Sequence, residues 1–193
     1  MTQERKKIIF VTTNAGKIKS AQRAMPHIDV EPYHYDLIEP RSDDIEEIAK
    51  EKVRQAFAVT GQACIALDAG FYIKRWKGFP RAYVHPALQT LGIEGLLKLM
   101  EGEEDRECHF RQCLAFYDGN HFQVFESSTY GTLAPYDSGV DHPHAWSDLW
   151  RIFVPEGYDQ TISEMSHEEL EGYYASAKPS STRLFGQWYA EEK

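Results

Sequence analysis

The sequence offers no apolar run approaching the roughly 18 residues that a membrane span requires, so no membrane segment is expected. Cysteine is scarce. Cys64, Cys108 and Cys113 are odd in number and none has C-x-x-C spacing. They support neither a disulfide framework nor a zinc site, and fit buried thiols in a reducing cytoplasm. Positive charge is short as well: 21 Lys and Arg stand against 30 Asp and Glu, for a formal charge of −9. That balance argues against a nucleic-acid polymer, which is held chiefly through basic residues on phosphate. It leaves a nucleotide substrate open, because an acidic protein can hold polyphosphate through a divalent metal. Internal repeats and flexible linkers are missing. The polar lead-in, residues 1–7, has no apolar stretch of the signal-peptide kind.

What is present is a globular composition. The chain has 193 residues, 42% of them hydrophobic, enough for one large domain or two small lobes with a sizeable core. It is organised around Ile8-Ile9-Phe10-Val11-Thr12-Thr13-Asn14-Ala15-Gly16-Lys17. Four apolar residues read as a buried strand, and Ile18, Ala21 and Met25 share one face of a following helix. A strand, a polar turn and a helix start make an anion site, because the first N–H groups of a helix lack partners and carry partial positive charge. Thr12, Thr13 and Asn14 add side-chain donors, Gly16 permits close approach and Lys17 adds a full charge. An ordinary capped turn with an exposed Lys explains the same residues equally well. A Walker A loop is excluded, since it needs more glycine and a Lys-Ser/Thr ending.

Further along, residues 28–35 read as a short second strand ending near Pro32, and residues 36–42 as a loop. Asp43 or Asp44 caps a helix through residue 57, with Ile45, Ile48 and Lys52 on its apolar stripe and most of its charges on a solvated face. Gly61 ends it. Residues 63–67 form a buried strand that delivers Asp68, Ala69 and Gly70 at its C-terminal end, where carboxylates of α/β sheets commonly face a ligand. Residues 71–73 continue as strand. A turn at residues 76–80 leads to two short helices separated by Gly92. Residues 106–116 are expected as a strand, Asp118-Gly119-Asn120 as a hairpin turn, and residues 122–125 and 127–133 as two further strands. Asp137, Asp141, His142 and His144 lie in a Pro- and Gly-rich loop whose spacing matches no familiar metal site. Thr161, Ser163 or Ser166 caps a helix around residues 168–171, and a basic loop, residues 178–183, precedes a final helix over 184–192.

Several landmarks, in one order, resemble the inosine triphosphate pyrophosphatase family, also called the non-canonical purine NTP pyrophosphatases. Residues 12–17 are similar to its T-x-N-x-x-K triphosphate loop. Residues 43–52 resemble its acidic helix, with Glu47 on the magnesium position. Leu67-Asp68-Ala69-Gly70-Phe71 resembles its (D/E)-D-S-G-L strand end, and residues 77–84 its G-x-P-G-x-Y turn. Residues 153–165 resemble its F-x-P-x-G-x-x-x-T-x-x-E-M block. The departures cluster. Leu67 replaces an acid and Ala69 a Ser or Thr. The base-contacting F-G-(Y/W)-D-P loop becomes Ala145-Trp146-Ser147-Asp148-Leu149-Trp150, where Trp146 matches the stacking residue and Asp148 the acid once two residues are inserted. The closing K-N-x-x-S-H-R matches Lys178, Ser181 and Arg183, with Thr182 in place of His.

The resemblance implies an α/β fold: one domain over residues 1–193, an elongated mixed sheet flanked by helices, and two lobes with a central cleft, the second lobe roughly 105–135. It implies hydrolysis of an NTP or dNTP to NMP and pyrophosphate in the cytoplasm, by a homodimer using Mg²⁺ or Mn²⁺ held by Glu47 and Asp68. Asp68 and Lys17 would be catalytic. Thr12, Thr13, Asn14, Lys17, Ala69, Trp146, Asp148, Lys178, Ser181 and Arg183 would bind substrate. The preserved phosphate half beside a rewritten base half points to non-canonical purines or an altered base preference. Leu67 and Ala69 motivate the alternative of a non-catalytic nucleotide-binding protein, and a different phosphate ester is a third option.

Overall fold

A computed structural model describes residues 5–192; residues 1–4, part of the polar lead-in, lie outside the described residues. Strand β1 (Lys6–Val11) runs into helix α1 (Ala15–Ala24), then β2 (Ile28–Tyr33), α2 (Ile45–Thr60), β3 (Cys64–Ile73), β4 (Pro80–Arg81) and α3 (Val84–Leu99). β5 (Glu107–Tyr117), β6 (Phe122–Leu133), β7 (Phe153–Pro155), α4 (His167–Ser176) and α5 (Ser181–Glu192) complete the order. The strands make one seven-stranded mixed sheet in the order β2-β1-β3-β5-β6-β7, with β4 against β3. β1 is parallel to both β2 and β3, whereas β4 and β7 pair antiparallel. Pro32 sits in β2, at the sheet edge, where a residue without an N–H is tolerated.

Local signals explain most boundaries. The Asn14 side chain accepts from Lys17 N–H at 3.0 Å and starts α1. Asp44 rather than Asp43 starts α2, accepting from Glu46 N–H at 3.0 Å, and Gly61 ends it in the left-handed conformation at φ 63°. Gly92, at φ 65°, breaks α3 into the two expected pieces. Ser166 caps α4 in a reciprocal pairing with Glu169, while Thr161 and Glu164 make the same box on a short turn.

Three expectations differ from what is seen. Residues 122–133 form one strand, not two, lying between β5, itself eleven residues long, and β7, which pairs at Gly131–Leu133. α5 begins at Ser181, so Ser181 to Arg183 lie in its first turn rather than in a loop. β3 runs ten residues to Ile73, which leaves Asp68 inside the strand, beyond its parallel pairing with β1 at Cys64 and Ile65.

The chain divides into two compact units, the division falling within β3, β5 and β6. Unit 1 takes the segment ending at Ala69, Gln112–Ser127 and the segment from Pro179 on; unit 2 takes Gly70–Arg111 and Ser128–Lys178. The core of unit 1 is built from β1, α1, β2, β3, α5 and the part of β5 in this unit, with Phe116 against Phe185 at 5.7 Å and Phe185 stacked on Tyr189 at 5.2 Å. Unit 2 is centred on Phe71, Phe110 and Phe153, all fully or nearly fully buried. Each such ring contributes about 1.5–3 kcal/mol of burial.

Candidate active site

The turn after β1 is tied down by its own side chains. Thr12 N–H donates to the Tyr33 carbonyl at 3.2 Å, and the Thr12 hydroxyl accepts from Asn14 N–H at 3.1 Å. Asn14 caps α1 through its side chain. Thr13 is exposed. The turn therefore presents the first N–H groups of a ten-residue helix, the arrangement that receives an anion.

Lys17, in the first turn of α1, extends to β3, where its Nζ donates to the Leu67 carbonyl at 3.3 Å. Side chains alternate along a strand, so Leu67 and Asp68 point opposite ways. Leu67 packs in the core of unit 1 beside Ile65 and Phe10. Asp68 is buried on the other face, and its Oδ1 accepts from Lys52 Nζ at 3.1 Å. The same Nζ donates to Glu39 Oε1 at 2.8 Å. The Lys52 and Asp68 side chains are 14% and 8% exposed, and that of Glu39 61%. Lys52 is thus a mostly buried cation bridging two carboxylates.

The cations answer differently to this setting. Burial is the largest influence on Lys17 and pushes its pKa below the ordinary lysine value; Asp68 opposes the shift, Lys52 reinforces it and Glu39 opposes it. Burial works against charge on Lys52 too, but Asp68 and Glu39 outweigh it and hold its pKa above the ordinary value. Two ammonium groups and two carboxylates leave the cluster nearly neutral.

Glu39 and Lys52 were not among the expected site residues. The signal for Lys52 was its place on the apolar stripe of α2, seven residues after Ile45, where a lysine needs a buried counterion. Glu39 carried no signal, because it lies in a loop. Glu47, the expected metal ligand, is exposed in the first turn of α2, and its Oε2 accepts from the Ser42 hydroxyl at 2.7 Å. Asp68 and Glu39 supply hard oxygen donors side by side around Lys52. Among the described residues no group of three or more His, Cys, Asp or Glu is arranged to hold a metal. In the loop of unit 2, Asp137 pairs with Arg151, and His142 Nδ1 accepts from His144 N–H.

The remaining expected residues fall in both units. In unit 1, Ala69 packs against the core, and Ser181 opens α5 with its N–H donating to Ser127 Oγ at 2.9 Å. The Ser181 hydroxyl is buried and has no hydrogen-bond partner among the described residues. Arg183 N–H donates to Ser180 Oγ, the cap of that helix. In unit 2, Trp146 is half-buried, edge-on to Phe110 at 5.1 Å, and exposed Asp148 opens a short helical turn capped by Ser147. Trp150 is buried in the core there, so its faces are taken by packing. Lys178 is exposed between α4 and α5.

Comparison with known proteins adds a family to this geometry. A family model described as Ham1 family matches residues 8–178. A dITP/XTP pyrophosphatase of Thermococcus kodakarensis is 30% identical over 187 residues, covering 96% of this chain and 98% of that protein. One of Methanopyrus kandleri is 33% identical over 186 residues, covering 95% and 96%. Among solved structures, a HAM1 protein from Coxiella burnetii superposes with a TM-score of 0.80 at 17% identity, covering 96% of this chain and 99% of that one. The Ham1 protein of Staphylococcus aureus gives 0.76 at 22% identity, covering 97% and 100%. These two likenesses show the fold.

Proposed function

The chain belongs to the Ham1 family, and from that premise we propose that it is a nucleoside triphosphate pyrophosphohydrolase acting on non-canonical purine nucleotides, releasing NMP and pyrophosphate. The observation that carries the reading is the cluster of Lys17, Lys52, Asp68 and Glu39 beside the start of α1 in unit 1. Relatives that match nearly their full length are named dITP/XTP pyrophosphatases, which supports deaminated purines as the substrate class.

The reaction breaks the anhydride between the α and β phosphates, with water supplying the new oxygen. Lys17 and the helix N-terminus would hold the phosphates and offset charge that builds on the leaving pyrophosphate. Lys52 would change partner readily from Glu39, whose carboxylate is mostly exposed, to a phosphate oxygen. Asp68, fixed inside a strand and held by Lys52, would orient the attacking water and take its proton. Lys17, with its lowered pKa, holds its charge less firmly than an ordinary lysine until an anion binds.

A divalent cation fits the donor set. Mg²⁺ is usually held by one or two carboxylates together with substrate phosphates, and Asp68 with Glu39 supplies that number in the right chemistry. Glu47 is the other candidate. The ion, Mg²⁺ or Mn²⁺, would supply charge neutralisation and polarise the phosphoryl group when bound. The near-neutral cluster supports this need, because two lysines already engaged by two carboxylates leave little net positive charge for a triphosphate.

Trp146 and Asp148 of unit 2 are the candidates for contacting the base, Lys178 of unit 2 and Ser181 and Arg183 of unit 1 are further candidates for holding substrate, and the reaction would run in the cytoplasm, where three buried cysteines outside any disulfide would persist. A homodimer is part of the reading. The aromatic face it would cover lies in unit 2, where Tyr72 stacks on His109 at 4.9 Å and His109 meets the 56% exposed Tyr130 at 5.0 Å.

One observation favours a second reading. Leu67 turns into the core and leaves the site one carboxylate short of the family pattern, as a nucleotide-binding protein without turnover would. A pyrophosphate-release screen with Mg²⁺ against canonical and deaminated NTPs and dNTPs separates the two. Release with inosine or xanthosine triphosphate is expected. Calorimetric binding without release by any nucleotide would favour the second reading.

A further inference from the structure

We propose that Gln55 is a positioning residue that fixes the register of the loop carrying Glu39 on helix α2, and so sets Glu39 beside Lys52; the inference rests on reading that cluster as the phosphate and metal end of the active site. Residues 34–44 form neither helix nor strand. Ile38 is 77% exposed, so its side chain does nothing to hold them. Its backbone is gripped instead. Ile38 N–H donates to Gln55 Oε1 at 2.9 Å, and Gln55 Nε2 donates to the Ile38 carbonyl at 2.9 Å. A primary amide has a carbonyl acceptor and two N–H donors, and here the acceptor and one donor meet both backbone groups of a single residue, as on a rung of a β-ladder. Glu51 Oε1 accepts from the same Nε2 at 3.2 Å, which orients the amide.

The next loop residue is Glu39, bound by Lys52 at 2.8 Å. Lys52 and Gln55 are three apart on α2 and share a face. Two consecutive loop residues therefore meet two helix residues one turn apart. Leu37 is buried and anchors the loop in depth. One apolar anchor, however, leaves the backbone free to rotate about it, and the two-point amide removes that freedom. Without it, the cost of ordering Glu39 would fall on metal binding and weaken it.

The test is Gln55→Ala in the full chain, a change that suits a helix. Three quantities are measured: amide exchange at Ile38 without ligand, Mn²⁺ affinity by calorimetry, and the Mg²⁺ concentration for half-maximal pyrophosphate release. Ile38 exchange is expected to accelerate about tenfold, and both metal readouts to weaken about fivefold to tenfold, as the loss of two modest hydrogen bonds implies. Turnover at saturating Mg²⁺ should stay within about twofold. Gln55→Glu keeps the acceptor for Ile38 N–H and loses the donor, so it should fall between.

Unchanged Ile38 exchange overturns the proposal, as does unchanged metal affinity where Glu39→Gln weakens it. A parallel fall in turnover, metal affinity and melting temperature would mark an ordinary structural role and also overturn it. If the parent protein releases no pyrophosphate, the functional reading fails while exchange and Mn²⁺ affinity still decide the role of Gln55.

Discussion

Lys52 Nζ lies 3.1 Å from Asp68 Oδ1, and both side chains are nearly closed to solvent. A charge pair of this kind is costly to halve, because the survivor keeps its burial and loses its counterion. Lys52→Met is expected to lower stability by about 3 kcal/mol. Adding Asp68→Asn to it should recover part of the loss. Urea unfolding of the single and double variants checks both, and a double variant as weak as the sum of the singles would show that the pair is not coupled.

Asp68→Asn by itself removes the group expected to orient and deprotonate water. Pyrophosphate release should fall about a thousandfold, within the span measured for positioned general bases. Full turnover with every nucleotide would mean that Asp68 has no part in the chemistry.

Lys17 gives a pH dependence. Its pKa in the folded protein is lowered, chiefly by burial, from the ordinary 10.5. Between those two values the native protein has lost a proton that the unfolded chain keeps. Stability contributed by Lys17 therefore rises with pH across that window, while the hold on phosphate proposed for it would weaken. KM for the triphosphate should climb on the alkaline side, starting below pH 10.5. Lys17→Arg, which stays charged, should flatten that limb.

Glu39 and Glu47 are the two candidates for the second ligand of the proposed metal. Glu39→Gln is expected to raise the Mg²⁺ requirement about tenfold or more, and Glu47→Gln to change it about twofold or less. The opposite ranking, read from Mg²⁺ titrations of release, would assign the ligand to Glu47.

Asp148 is exposed, so Asp148→Asn should leave the melting temperature almost unchanged, by less than about 0.5 kcal/mol in stability. Discrimination between deaminated and canonical purines should drop about tenfold, the worth of a polar contact to a base edge. An unchanged ratio of kcat/KM values would remove Asp148 from the base pocket.

Much of this molecule is written locally. Asn14, Asp44, Gly61, Gly92 and Ser166 act on the few residues beside them, so helix ends follow from the chain itself. The strand and turn at residues 6–14 follow from one apolar run and a change of composition. Elements that differ from the local expectation depend on neighbours distant in sequence. β6 is continuous beside β5, itself eleven residues long, and α5 starts early because Ser181 N–H finds Ser127.

The sequence by itself determined the family, the strand-turn-helix that offers Lys17, and a carboxylate at position 68. Short-range periodicity, capping and motif order suffice for those. Only the tertiary structure decided which charges meet. Glu39, Lys52 and Asp68 come from a loop, a helix and a strand, 13 and 16 residues apart. Their encounter depends on the path of a loop held by Leu37 and Gln55, and no local pattern encodes that path. Strand alternation did the rest, sending Leu67 into the core and Asp68 to Lys52.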